Sequence, residues 1–357
     1  MSTFKQFFSP LALSVAAALA ITGCSNNQEG SQSANQEGDV ETKVLRLSHF
    51  WPANSFMHVD VFEPWATKIE EESQGRLDIE IYPSAQLSKA DVTYDAAVKG
   101  TVDIGSQAHG YSAGRFPLSQ IAELPGLSNS AVQMSCMIQT LYDNGTIADE
   151  YQDSHLLGVF GTGPASIHTK DKLITTPDDL KGMRIRRPSA VAGDLLESMG
   201  ASPVGLPAPD IYTSIQRGVV DGVSFPWDPF KAFKINEVAK KHTNLPFYSS
   251  GLLLTMNKDT YESLPDDLKK VIDDNSGMAL SSLAGRVQDE YYQAALQEAI
   301  DAGDEIVDIP DPFSDPLWEK PLQAGVDKYL SSVDDTGADA RAIYAKAQEA
   351  SELCANQ

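Results

Sequence analysis

Apolar and polar residues alternate where the folded part of the chain begins. Residues 44–50 read VLRLSHF, a period of two that predicts a strand. Trp51-Pro52-Ala53-Asn54-Ser55 predicts a turn, and a helix follows to about Ser73, ended by Gly75. Leu77, Ile79 and Ile81 then alternate with Asp78, Glu80 and Tyr82 as a second strand. A helix over 91–99 stops at Gly100, and a third short strand covers 102–105. Strands that alternate with helices imply a mostly parallel α/β sheet.

Further on, residues 131–153 predict a helix and 156–160 a strand. Thr176-Pro177-Asp178-Asp179 joins an N-cap residue, a proline at the first helical position and acids in the first turn, which together start a helix. Gly182 closes it, and a strand covers 183–187. Helices are expected over 191–199, capped by Gly200, and over 210–216, capped near Gly218. Some 35 residues after Arg186 another strand is expected, closed by a Gly-rich turn and an aromatic-Pro pair. Leu264-Pro265-Asp266-Asp267 opens a helical region reaching Ala302, with a break near Gly277. A late strand over 305–309 and helices over 316–332 and 338–353 complete the pattern.

The N-terminus adds a location. After Lys5, an apolar run over 11–21 is too short to cross a bilayer comfortably and has the form of a signal peptide. It ends in Leu19-Ala20-Ile21-Thr22-Gly23-Cys24, similar to the lipobox of bacterial lipoproteins. On that reading residues 1–23 are removed and Cys24 is lipidated; ordinary secretory cleavage nearby or an uncleaved anchor are the alternatives. Residues 24–43 are Ser, Asn, Gln, Glu and Gly with almost no large apolar side chain, the composition of a flexible tether. The remainder is long enough for two domains.

A net charge of −23 excludes nucleic acid as a partner and leaves the lipid as the expected contact with a membrane. In so acidic a field, capture of an anion must rest on a few local cations. With Cys24 lipidated, Cys136 and Cys354 remain. The envelope permits a bridge between them, but both lie in helical sequence far apart in the chain, and their pairing stays open. No CxxC and no Cys/His ligand spacing is present, so neither metal nor cofactor is expected.

The richest stretch is 176–226. It contains Asp179-Leu180-Lys181-Gly182, Arg184-Ile185-Arg186 with Pro188, Met199-Gly200-Ala201, Ile211-Tyr212 and Gly218-Val219-Val220-Asp221-Gly222. In order and spacing these residues resemble the central signature of the solute-binding proteins of TRAP transporters, the DctP-type family. Gly114-Arg115-Phe116-Pro117, Glu123-Leu124-Pro125, and Met256-Asn257-Lys258 with Leu264-Pro265 extend the resemblance over most of 44–310. It implies a two-lobed periplasmic-binding-protein-like α/β fold, with mixed sheets flanked by helices and the ligand enclosed between lobes. Approximate boundaries put lobe I at 44–165 and 251–284, and lobe II with the C-terminal helices at 166–250 and 285–357.

By motif position Arg186 matches the arginine that the family uses for a ligand carboxylate; alternatively it pairs with an acid such as Asp221. A guanidinium fork can give a carboxylate two parallel hydrogen bonds. By strand alternation Arg184 shares a face with Arg186, and Arg187 does not. Many family members carry asparagine where this chain has Phe225. Phe225 and Trp227 offer apolar or cation–π contact, or are core residues. Asp228 could accept from a ligand hydroxyl or ammonium, or cap a helix. Phe50 and Trp51 end the first strand and, with Asn54, fall at the cleft, because ligands of α/β sheets bind beyond the carboxyl ends of strands. Gln107 and Tyr111 follow the third strand in the same way. Asp95 stands where relatives often carry an acid, and Lys172 near a second basic position of some relatives. His168 reads as structural.

These residues predict an extracytoplasmic receptor. It captures a small organic carboxylate by hinge closure and delivers it to TRAP membrane permease subunits. The aromatics favour an aromatic acid, a branched or oxo monocarboxylate, or a betaine-like zwitterion; a C4-dicarboxylate requires Lys172 or another arginine to face in. A receptor subunit for a signalling kinase is the second reading. An enzyme is the third, with thin support. Gly161-Thr162-Gly163 lacks the third glycine of a dinucleotide loop, and Gly222-Val223-Ser224 lacks the closing glycine of a nucleophile elbow.

Overall fold

The computed structural model describes residues 42–355. The expected signal peptide, Cys24 and nearly all of the expected tether lie outside the described residues. In chain order the first half contains β1 (Lys43–Ser48), α1 (Glu63–Glu72), β2 (Leu77–Tyr82), α2 (Thr93–Val98), β3 (Ile104–Ala108), α3 (Ala131–Asp143) and β4 (His155–Thr169). Next come β5 (Arg184–Arg187), α4 (Ala190–Ser198), β6 (Ser202–Gly205), α5 (Ile211–Gln216), β7 (Gly222–Pro226), β8 (Lys241–Asn244) and β9 (Ser249–Met256). The chain ends with α6 (Lys258–Glu262), α7 (Asp266–Asp274), α8 (Met278–Asp301), β10 (Glu305–Asp308), α9 (Glu319–Asp334) and α10 (Ala340–Cys354).

The strands hydrogen-bond in the order β2-β1-β3-β9-β4-β7-β5-β6, with β8 on β4 and β10 beside β8. Two parallel groups result. β1 lies between β2 and β3, and β5 between β6 and β7, joined by the helical crossovers that parallel pairing demands. β9 runs antiparallel to β3 and β4, and β4 antiparallel to β7 and β8, which makes the sheet mixed.

β4 links the two groups. It pairs with β9 as far as Pro164 and with β7 from Ala165 on. The strand expected over 156–160 thus continues for nine residues more. Gly161-Thr162-Gly163-Pro164 reads as a breaker in sequence, yet the β4–β9 register shifts between Gly161 and Pro164. A proline is tolerated at such an irregularity, where the ladder asks for no N–H. Gly161 is required by packing, since a Cβ there would come within 2.0 Å of Met134 Cγ.

The alternation rule overlooks β9. SSGLLLTM is buried along its whole length, so it shows an apolar run and no period of two. The helix expected over 131–153 stops at Asp143, where Asn144 and Gly145 (φ +83°) turn the chain. The break near Gly277 is present, between α7 and α8, with Gly277 at φ +59°. The lobe boundary expected between 284 and 285 falls inside α8, which runs unbroken from Met278 to Asp301.

Cys136 of α3 and Cys354 of α10 form a disulfide across 218 residues of sequence. It pins the last helix to the frame, and a bridge closing so long a loop contributes about 2–5 kcal/mol.

Candidate functional site

The carboxyl ends of two parallel strand pairs, β1 with β3 and β5 with β7, meet at one small cavity. β1 leads into Phe50 and Trp51, and β3 ends at Ala108 with Tyr111 just beyond. β5 carries Arg186 and leads to Pro188, and β7 ends in Phe225 and Pro226. Position beyond strand ends is where α/β sheets hold ligands. Thr162 of β4, Ser250 and Leu252 of β9, and Ala208, Pro229 and Phe233 complete the wall. The enclosed space is about 30 Å³, room for little more than water. The loops after β3 and β5 touch directly over it. A Cβ on Gly110 would fall 2.4 Å from the Pro188 carbonyl oxygen, so only glycine permits this approach.

Arg186 is 1 % exposed and makes no ion pair with any described residue. Its Nε donates to the Leu206 carbonyl at 2.8 Å, Nη1 to the Ser224 carbonyl at 3.2 Å and Nη2 to the Tyr111 hydroxyl at 3.3 Å. Three of five donors are used, which leaves one N–H on each terminal nitrogen. That pair suits the two oxygens of a carboxylate. The Tyr111 hydroxyl also accepts from the Ala208 N–H at 2.9 Å, so its own proton is free to donate. Burial raises the Tyr111 pKa and keeps that proton in place. A buried cation held by carbonyl and hydroxyl oxygens alone is short of one negative charge.

Arg184 explains why. Its guanidinium and its backbone N–H take the Asp221 carboxylate, at 2.6 Å from Nη2 and 2.8 Å from N. The acid considered as a partner for Arg186 is therefore engaged two residues earlier, at the solvent edge of β5. Arg187 donates to the Ser189 carbonyl at 2.9 Å.

Around the guanidinium stand aromatic rings. The Arg186 Cζ lies 5.4 Å from the Phe225 ring. Phe50 packs against Trp51 (4.9 Å), Tyr111 (5.4 Å) and Phe233 (6.2 Å), and Phe225 meets Phe233 edge-on at 6.0 Å. The cavity thus offers one anion-binding pole and flat apolar walls. Beyond Arg186 and Tyr111, the wall residues with polar side-chain groups are Trp51, Thr162 and Ser250.

A second, larger pocket of about 500 Å³ adjoins the cavity and shares Phe50 and Phe233 with it. Asn54 and Asp228 line this pocket. Other expected residues fall elsewhere. Gln107 is buried, but its side chain accepts from the Tyr94 N–H and donates to Ser112, fixing the loop that carries Tyr111. Trp227 is fully buried against His168, Phe230 and His242, and so belongs to the core. Asp95 is exposed beside Lys99 in the next helical turn. Lys172 is exposed and pairs with Asp179 at 3.2 Å, so it supplies no second cation to the cavity. His168 donates to or accepts from structural partners, bridging the Phe225 carbonyl and His242.

Sequence reasoning missed Phe233, Thr162, Ser250 and Leu252. Phe233 lies in an irregular segment, and its one signal was an aromatic residue set among Lys231 and Lys234. The other three belong to the unrecognised parts of β4 and β9. Glu123 was noted only within a motif. It is buried, accepts from the Gly251 N–H at 3.0 Å, and leaves its second oxygen unpartnered. Burial pushes its pKa up to about 7, with Ser189 and Gly251 offsetting part of the rise.

Residues 47–331 match the model of bacterial extracellular solute-binding protein family 7, DctP. The chain belongs to this family. The structure of a marine metagenome TRAP solute binding protein specific for aromatic acid ligands, in complex with 3-hydroxybenzoate, is 36% identical with a TM-score of 0.82. The match covers 87% of this chain and 98% of that one. A TRAP solute binding protein from Rhodoferax ferrireducens T118 with copurified benzoate is 31% identical, TM-score 0.82, over 88% of this chain and 99% of that one. A solute-binding protein of Albidiferax ferrireducens is 26% identical over 289 residues, 76% of this chain and 82% of the relative. The fold is thus the two-lobed α/β architecture of TRAP receptors. The protein is a TRAP solute-binding receptor for small organic acids, in a family of extracytoplasmic binding proteins.

Proposed function

We propose that this receptor captures a small aromatic monocarboxylate, closes over it and delivers it to a TRAP membrane permease. The observation that carries the reading is a fully buried Arg186 with two free N–H groups inside a cage of Phe50, Trp51, Tyr111, Phe225 and Phe233. Arg186 and the Tyr111 proton take the carboxylate, and the rings take the flat carbon skeleton. Phe225 in place of an asparagine removes an amide that would bind a sugar hydroxyl, which disfavours uronates. With Lys172 engaged at the surface, a second carboxylate has no cation, which disfavours dicarboxylates. Relatives at 31–36% identity hold benzoate and 3-hydroxybenzoate, consistent with this class.

Closure uses β4, the strand shared by both parallel groups, with its irregularity at Gly161–Pro164 as the point of bending. Cys24 carries a lipid that holds the receptor at the membrane through the tether. A thermal-shift panel tests the ligand class. Benzoate and hydroxybenzoates at about 100 times their dissociation constants should each add roughly 2.7 kcal/mol of stability. Glucuronate and succinate should add none; stabilisation by these and not by the aromatic acids would overturn the reading.

A further inference from the structure

Asp228 stands out among the described carboxyl groups. It is 2 % exposed, and both of its oxygens are buried without a hydrogen-bond partner. The N–H groups of Asp228 and Gly163 lie nearby but out of hydrogen-bonding geometry. Burial, with Asp289 as a like charge, pushes its pKa well above the usual carboxyl range. A native structure rarely keeps so exposed a debt of hydrogen bonding in its interior unless a ligand or water answers it. Trp51 presents a matching gap: its indole Nε1–H is also buried and unpartnered.

Their places in the two pockets give the gap a meaning. Trp51 lines the cavity that holds Arg186, and Asp228 lines the larger pocket beyond Phe50 and Phe233. A space of about 30 Å³ cannot hold a benzene ring, and small-molecule sites run to about 300–1,000 Å³. Phe50 and Phe233 are the residues common to both spaces, so moving them aside joins the two and makes room for the ring of an aromatic acid. Its carboxylate stays at Arg186, and its far edge then comes to the wall that carries Asp228.

We propose that Asp228, together with the Trp51 indole N–H, selects aromatic acids that carry a ring hydroxyl away from the carboxylate. This rests on the aromatic-acid reading of the site. A hydroxyl donates its proton to an Asp228 oxygen and accepts from Trp51 Nε1–H, which satisfies one acceptor and one donor together. An unsubstituted ring leaves both polar groups unpaired in a desolvated wall, and sites built to pair a hydroxyl reject ligands that lack it. Asp228 is then a specificity residue, distinct from the anion-binding pole.

The test is titration calorimetry of the wild type, Asp228→Asn and Asp228→Leu with benzoate, 3-hydroxybenzoate and 4-hydroxybenzoate. The wild type should prefer at least one hydroxybenzoate to benzoate by about tenfold or more. Asp228→Leu should erase that preference, with the loss falling on the hydroxybenzoate. Asp228→Asn, which keeps an acceptor, should restore part of it. Melting of the ligand-free proteins provides the second readout: removal of an unpaired buried carboxyl should hold or raise Tm. Equal weakening of all three ligands with a lowered Tm would mark Asp228 as structural and overturn the proposal. So would wild-type binding of benzoate and both hydroxybenzoates with equal affinity, which would leave the aromatic-acid reading intact. Binding of none of the three would remove that reading itself, and this proposal with it.

Discussion

Arg184 and Arg186 stand two residues apart on β5 and share a face by the strand's alternation, yet their surroundings differ in kind. Arg184 is half exposed and meets Asp221 through two guanidinium nitrogens and the backbone. Arg186 is buried, with carbonyl and hydroxyl oxygens as partners and no carboxylate. Water screens the first pair, so its two charges are nearly as stable apart as together. Nothing screens the second, so its affinity for an anion is held in reserve. Asp221 lies just before β7, where it answers Arg184 at the solvent edge, and it does not line the cavity that holds Arg186.

The largest test removes the buried member. Arg186→Ala should weaken aromatic-acid binding by about 3–5 kcal/mol in a tryptophan-fluorescence titration, and Arg186→Lys by nearly as much, because an ammonium lacks the fork. Near-wild-type affinity in Arg186→Ala would break the contrast.

The next effect concerns Glu123, a buried acid that, like Arg186, has no ion-pair partner among the described residues. Its pKa rises from 4.5 in the open chain to about 7 in the folded protein. Folding therefore favours its protonated form. Its stabilising contribution is complete below about pH 4.5 and is lost as pH climbs to 7, a change of roughly 3 kcal/mol. Glu123→Gln keeps the acceptor for the Gly251 N–H and cannot ionise. Denaturation of both proteins from pH 4.5 to 8 should show the mutant gaining on the wild type as pH rises. A constant difference across that window would show that Glu123 titrates normally.

The smallest effect belongs to the exposed pair. Arg184→Ala should lower Tm slightly and leave ligand affinity unchanged at moderate salt. A large loss of affinity would mean that Asp221, once released, turns to Arg186, which sharpens the contrast into a direct competition.

Much of this was legible in the residues. The alternation at 44–50 and 77–82, the caps at Thr176 and Gly200, and the motif around Arg186 lead to the parallel strands and to the anion-binding pole. Legibility failed where burial hides the period. β9 is apolar on both faces, and β4 passes through glycines and a proline that normally end a strand. Three wall residues were lost with those strands. Phe233 was lost because an irregular segment has no period to read. Lys172 and Asp95 were misplaced for a different reason: each has an opposite charge within a turn or a loop, and a local partner is met before a distant ligand. Trp227 illustrates a third limit, since residue type alone does not separate a ring that lines a cavity from one that packs behind it.

The Cys136–Cys354 bridge sets an order of events for the whole chain. One half-cystine lies near the end of the chain, and the segment between the two contains Arg186, Phe225, Asp228 and Phe233. The link cannot close until that entire segment has been made and has entered an oxidising space. Until then α10 is held on α3 by packing and hydrogen bonds alone, through buried Ala347 and Ala350 and the Gln133–Ser351 contact. The last helix therefore gains its covalent fastening only after every residue of the binding cavity has been made.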